Sequence, residues 1–341
     1  MQIGVIGAGS FGVTVASLLA LKNDVLLYTR STEKQEAINS AHFSHGVQLS
    51  ERIVASANIE EICQCRLIFP IVPSTSFRGM MKNFSPYLSP AHILIHGTKG
   101  LDVNGISDDE LMSSFFHRDQ VHTMSEIIRI ESPVVRVGCL AGPNLSKEIL
   151  QGQPAAAVIA SEFDEVIKIG MEVLSSKKFF TFGSHDLKGT ELAGAYKNII
   201  ALGTGMLTGL NMGKNMQSIL INRGWHEMIK FGLTFGTTTS PFLGTAGIGD
   251  LIATCTSENS RNFTFGKRLA RGETMEEIFN TTYEIVEGVR TLRIIRQLAR
   301  NEELMLPITE LLYKIVFEGL PFEKALDILM RQEGGEDVDF L

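Results

Sequence analysis

The first half of the chain alternates two hydrophobic periodicities. Short apolar runs, "IGVIGAG", "DVLLYTR", "RLIFPIV", "HILIHGTKG" and "VVRVGCLAG", each break off at glycine, threonine, proline or a charge. Between them lie segments of helical spacing, such as 11–22 and 76–84. Buried strands alternating with amphipathic helices predict successive βαβ units and a mostly parallel sheet. "PAAAVIASE" and "FFTFGSH" are two further strand candidates that extend the sheet at one edge. After about residue 187 the pattern becomes wholly helical, broken by "GLNMGKN", "SPFLGTAGIGD", "TSENS", "RGET" and "LPITE". The expected organisation is an α/β, Rossmann-type domain over 1–187, an all-α domain over 188–330, and an acidic tail over 331–341 that frays in solvent.

Composition narrows the function classes. The 341 residues are 44% hydrophobic and 20% charged, which suits two globular domains. A net charge of -7 argues against general nucleic-acid binding, so an anionic ligand must be held by locally placed cations or helix N-termini. Cysteines at 63, 65, 139 and 255 suit neither a disulfide framework nor a zinc site; free thiols and no metal are expected. The opening "MQIGVIGAG" runs directly into a strand, and no apolar run approaches the ~20 residues of a membrane span. A cytoplasmic protein without a membrane span is the expectation.

The first candidate site is "GAGSFG", where Gly7, Gly9 and Gly12 have G-x-G-x-x-G spacing between a strand and a helix. Such a turn lets the backbone approach a pyrophosphate, with the helix N-terminus beneath it. The next strand ends in "YTR" rather than an acid. Arg30 is either an ordinary solvated residue or the partner of an NADP 2′-phosphate, so the expected cofactor is NADP or NAD, with NADPH accepted and its preference over NADH an open alternative. Lys99 in "HGTKGLD" and the "LAGPNLSKE" turn, with Gly142, Pro143 and Ser146, follow strands at the end where α/β folds bind ligands. In the helical half, Lys197 stands in "KGTELAGAYKNIIALGTG" among Ala193, Gly194, Ile200 and Ala201, where an ammonium must reach water or serve a purpose. Gly247 and Gly249 predict a flexible turn before Asp250, which is a cap or a group facing a crevice. Ser260 predicts an N-cap, with Arg261 and Asn262 in the first helical turn, where a phosphate finds N–H groups and a cation together.

These motifs, with "ELAGAYKNIIALGTGMLTGL", "GIGDLIATCTSENSRN" and "YEIVEGVRT", occur in the order and approximate spacing of NAD(P)-dependent glycerol-3-phosphate dehydrogenases, especially the bacterial form. The chain resembles that family over about residues 2–320. The resemblance implies a Rossmann domain followed by a helical one, usually as a homodimer. It also implies interconversion of dihydroxyacetone phosphate and glycerol 3-phosphate for phospholipid synthesis. By matching position, Lys197 is the proton donor and acceptor, and Lys99 touches substrate and cofactor at the nicotinamide end. Gly142 and Asn144 lie near the substrate, although the family commonly has Ser or Thr at Asn144. Asp250, Ser260, Arg261 and Asn262 form the substrate set, Arg261 and Asn262 on the phosphate and Asp250 also catalytic, orienting Lys197 or the substrate. Ser10, Phe11, Arg30, Ser146, Arg261, Ile285 and Glu287 are cofactor contacts, with Trp often replacing Phe11 and Ala often replacing Ser146. Two departures are the longer stretch 105–122, without an expected placement, and Thr208 in place of an acid. Competing readings are another two-domain dehydrogenase, acting on 6-phosphogluconate or ketopantoate, and a non-catalytic NADP sensor.

Overall fold

The computed structural model describes residues 1–282 and 286–330. These divide into two compact units, one of residues 1–102 and 123–191, the other of residues 103–122 and 192 onward.

The first unit is built on an eight-stranded sheet: β1 (Gln2–Ile6), β2 (Asp24–Tyr28), β3 (Ile53–Ser56), β4 (Leu67–Pro70), β5 (Ile93–His96), β6 (Arg136–Ala141), β7 (Ala155–Ser161) and β8 (Phe179–Ser184). In space the order is β8-β7-β6-β5-β4-β1-β2-β3. Every pairing is parallel except β6 with β7. The two strands anticipated at one edge are β7 and β8. At the other edge, β3 was not anticipated: Ile53 and Ala55 are buried and Val54 is half exposed, too short an alternation to stand out.

Helices α1 (Ser10–Leu19), α2 (Thr32–Ala41), α3 (Ser74–Phe84), α4 (Met124–Glu131) and α5 (Asp164–Leu174) cover the sheet. Each central strand feeds two cores. Val25 and Leu27 join the cluster containing Val13, Leu19 and Ile159, while Leu26 joins that of Phe77, Met81 and Ile127. Burial on both faces is why these strands read as continuous apolar runs. The strand order reverses between β1 and β4, and the crevice beyond the carboxyl ends there is where open α/β sheets take ligands.

The second unit is helical: α6 (Leu187–Gly209, which begins in the first unit), α7 (Lys214–Thr234), α8 (Asp250–Thr256), α9 (Arg261–Ala270), α10 (Glu287–Asn301) and α11 (Pro307–Glu318) are its main elements. Small residues let α6 and α9 approach at backbone distance. A Cβ at Gly205 would stand 1.9 Å from the Phe263 carbonyl oxygen, and one at Gly266 would stand 1.9 Å from that of Leu202. Ala193 and Ala201 beside Lys197 are fully buried. The small residues of this helix therefore serve helix packing.

The stretch without an expected placement belongs to the helical unit, so a single cut after residue 187 does not describe the division. Its base closes where the Asn104 amide donates to the Gln120 carbonyl at 3.1 Å. Leu111 and Phe116 are fully buried. Arg290, Gln297 and Asn301, along one face of α10, bond Asp108, the Ser114 carbonyl and the Phe116 carbonyl at 2.6, 2.8 and 2.8 Å. Polar residues hid this docking from a hydrophobicity pattern. Among the described residues no helix is long and apolar enough to cross a membrane. The acidic tail at 331–341 lies outside the described residues.

Candidate active site

In the first unit the glycine motif separates into two uses. Gly7 has φ 113°, and a Cβ there would meet the Ile71 carbonyl oxygen at 2.2 Å; at Gly12 it would meet the Gly7 carbonyl oxygen at 1.7 Å. The fold itself forbids side chains at both. Gly9 has an extended backbone, φ -79° and ψ 179°, and beyond its chain neighbours no protein atom lies within 4 Å of where its Cβ would stand. Nothing in the protein requires a glycine there. A Cβ would instead fill the cradle above the α1 N-terminus, where Ser10 and Phe11 open a helix with no acid in its first turn and no side-chain cap. Those N–H groups suit a pyrophosphate.

Around this cradle stand the loops that follow β5 and β6. Lys99 Nζ donates to the Gly142 carbonyl at 2.8 Å, joining the two loops, and Thr98 donates to the Val72 carbonyl at 2.6 Å. Gly142 has φ 114°, the conformation its turn needs. The Asn144 amide has both its oxygen and its nitrogen buried without a protein partner. Such a group costs about 1–3 kcal/mol unless a ligand completes it. Phe11 extends over Gly97, where a Cβ would come 2.9 Å from its ring, and Ser146 opens a short helix, Ser146–Leu150. Arg30 is exposed just beyond β2. These observations fit a dinucleotide.

A buried trio behind Lys99 was missed in the sequence. His96, the last residue of β5, lies 2.8 Å from Glu191 Oε1, and Glu191 also accepts from the Ser125 amide at 2.8 Å. Burial pushes the Glu191 carboxyl up, but the His96 charge and the Ser125 donors outweigh it and hold it below the usual carboxylate range. Only the distant pairing of these residues reveals the trio, and no local signal could.

In the second unit, Lys197 is 5% exposed, which excludes a side chain snorkelling into solvent. Its Nζ stands 2.9 Å from Asp250 Oδ1 and donates to the Thr254 hydroxyl. Thr254 in turn donates to the Asp250 carbonyl at 2.7 Å. Thr254 escaped the sequence reading, although its spacing of four from Asp250 on one helix was a usable signal. Instead of a flexible turn, residues Thr245–Gly249 form a π-helical turn that leads into α8 and places Asp250 at its first position. Burial raises the neighbouring Cys255 thiol to about 12, keeping it protonated. All four cysteines are free and buried, and among the described residues no group of three or more His, Cys, Asp or Glu could hold a metal.

Ser260 caps α9 through its hydroxyl, which accepts from the Phe263 amide at 3.3 Å; Arg261 is exposed at the first position. Asn262 ties three helices together. Its amide donates to Asn198 Oδ1 at 2.9 Å and accepts from the Gly288 amide at 2.9 Å, pinning α9 between α6 and α10. Glu287 opens α10, while Ile285 lies outside the described residues.

Comparison with known proteins bears on both units. The family model for the NAD-dependent glycerol-3-phosphate dehydrogenase N-terminus matches residues 2–167, and that for its C-terminus matches 186–327. A glycerol-3-phosphate dehydrogenase [NAD(P)+] of Acinetobacter baylyi is 36% identical over 348 residues, covering 100% of this chain and 93% of that protein. One from Saccharophagus degradans is 36% identical over 343 residues, covering 99% and 92%. The crystal structure of glycerol-3-phosphate dehydrogenase from Coxiella burnetii superposes with a TM-score of 0.87 at 27% identity, covering 97% of this chain and 99% of that one. With the glycine cradle in one unit and the buried lysine–aspartate pair in the other, the chain belongs to the NAD-dependent glycerol-3-phosphate dehydrogenase family.

Proposed function

We infer that this chain reversibly reduces dihydroxyacetone phosphate to glycerol 3-phosphate with NADPH or NADH, and that Lys197 moves the proton. The observation that carries this reading is the Lys197 ammonium, buried and held 2.9 Å from the Asp250 carboxylate. A buried ion pair is weak support for stability, because desolvating two charges offsets most of their attraction. A role in chemistry accounts for its presence.

The nicotinamide, when bound, supplies or accepts the hydride. The chain's own residues do the rest. Gly9 leaves room above the α1 N-terminus for the pyrophosphate, with Gly7, Gly12, Ser10 and Phe11 shaping that turn. Arg30 would meet the ribose end of the cofactor, and Ser146, Ile285 and Glu287 are assigned as further cofactor contacts. Lys99, tied to the Gly142 carbonyl, places positive charge where the carbonyl oxygen becomes an alkoxide. Lys197 gives that alkoxide its proton in reduction and takes the hydroxyl proton in oxidation, while Asp250 and Thr254 fix the direction of its Nζ. Arg261, with Ser260 and Asn262, holds the substrate phosphate at the α9 N-terminus, and the Asn144 amide completes its hydrogen bonds on the substrate. The same reading makes the enzyme a cytoplasmic homodimer that provides the three-carbon backbone of phospholipids, supported by family membership.

The direct test is loss of reduced-nicotinamide absorbance with dihydroxyacetone phosphate, run with NADPH and with NADH. Oxidation is expected with both, and Lys197→Met should lower turnover by ~100-fold or more while cofactor still binds. Absence of oxidation in the native chain, or near-native turnover in the variant, overturns the assignment.

A further inference from the structure

Two basic side chains from different elements meet on one carbonyl of the glycine-rich turn. Lys34 Nζ, from α2, donates to the Ala8 carbonyl at 2.6 Å. His45 Nε2 stands 3.2 Å from the same oxygen. Neither residue drew attention in the sequence. His45 arrives there by an uncommon route: it and Gly46 occupy the tip of a hairpin formed by Phe43–Ser44 and Val47–Gln48, with φ 49° and 78°. A two-residue hairpin turn with both central φ positive ordinarily takes Asn or Asp at its first position, not histidine. The left-handed conformation disfavours a bulky side chain, so a histidine there needs a reason.

The position of Ala8 supplies one. The Gly7 amide donates to the Tyr28 carbonyl at 3.1 Å, which lays the end of β2, with Thr29 and Arg30, alongside the turn. In dinucleotide-binding folds this is where the adenosine ribose rests, its 2′-hydroxyl meeting an acid or its 2′-phosphate a cation. Two nitrogen-bearing side chains share one neutral oxygen, which cannot balance the lysine's charge, and an anion beside them would. The nearest acid on the helix, Glu33, is engaged by the Ser31 hydroxyl at 2.6 Å and would oppose a phosphate, which one arginine alone counters poorly.

We propose that Lys34 and His45, fixed by the Ala8 carbonyl, join Arg30 in a receptor for the 2′-phosphate monoester of NADPH and so determine preference for it over NADH. The proposal rests on the cofactor reading given above and extends it to residues outside the glycine motif. Lys34 spends one of its three N–H donors on Ala8 and keeps two for the phosphate. Since Ala8 holds both side chains in place already, less rotamer freedom is lost when the phosphate binds.

Calorimetric titration with adenosine 2′,5′-bisphosphate and with ADP reads the receptor without turnover. Lys34→Met should weaken the bisphosphate by about tenfold, the scale of one charged hydrogen bond, with ADP unchanged to within about twofold. His45→Asn, which suits the left-handed turn, should weaken the bisphosphate by about threefold and leave ADP alike. Equal losses for both nucleotides, or no loss for either, overturn the proposal and leave the cofactor reading standing. A native chain that binds neither nucleotide brings down the cofactor reading itself.

Discussion

The two units satisfy their functional polar groups in opposite ways. In the sheet unit, the groups assigned above to ligands have few protein partners: Gly9 faces open space, and the Asn144 amide is buried without a hydrogen bond. In the helical unit the corresponding groups are bound to each other. Lys197, Asp250 and Thr254 close one network, and Asn198, Asn262 and Gly288 another. A cofactor-binding turn can leave its partners to the ligand because backbone geometry alone holds it in shape. A proton-transfer group needs its direction fixed beforehand, since a misplaced ammonium loses much of the advantage of positioning. Glycines show the same split: Gly9 is small for something outside the protein, Gly205 and Gly266 for another helix.

The largest effects belong to the closed network. Lys197→Met leaves the Asp250 carboxylate buried without its cation, so beyond the ~100-fold loss of turnover it should destabilise by about 3 kcal/mol or more. Adding Asp250→Asn should restore much of the melting temperature and none of the activity. Recovery of turnover in the double variant would make the pair purely structural.

Within the glycine motif the expectation divides. Gly12→Ala drives a methyl into the Gly7 carbonyl, and overpacking against backbone should lower stability by about 3 kcal/mol. Gly9→Ala should melt with the native chain yet bind cofactor about tenfold more weakly, by fluorescence titration. Equal melting losses in both variants would erase the distinction drawn between them.

A third buried group tests the helical unit by pH. Glu227, on α7, accepts from the amides of Ile308 and Thr309, capping α11, and from the Tyr196 hydroxyl. Burial nevertheless dominates and raises its carboxyl to about 7. A folded-state value above the unfolded one makes the protonated form the stabilising one. Its contribution is fully present below about pH 4.5 and fades as the pH rises through about 7, a change on the order of 2–3 kcal/mol. Denaturation at pH 5 and pH 8 should show it, and Glu227→Gln should flatten the difference. The smallest effect is that of Thr254→Val, which removes one hydrogen bond to Lys197 and should reduce turnover by about fivefold with cofactor affinity kept.

Where local physics dictated the outcome, the sequence was readable. The "GAGSFG" turn, the apolar strands, the Ser260 cap and the order of the motifs all follow from neighbours within a few residues. Asp250 was legible as a group that orients Lys197 or the substrate, but the direct pairing was not, because Lys197 lies on another helix. The Lys197–Thr254 contact joins residues 57 apart, and Asn198–Asn262 joins residues 64 apart. Nor could spacing reveal that Asn262 clamps three helices, or that a polar stretch at 103–122 folds onto α10.

Sequence by itself thus determined the class of the fold, the place of the glycine turn between β1 and α1, and the family to which the chain belongs. Hydrophobic period and turn chemistry are written one residue after another, and family motifs preserve their order. Tertiary structure alone decided that Asp250 pairs directly with Lys197, which histidine meets Glu191 and which side chains gather at Ala8. Those pairings depend on directions set by the packing of distant elements, and a linear pattern carries no record of direction.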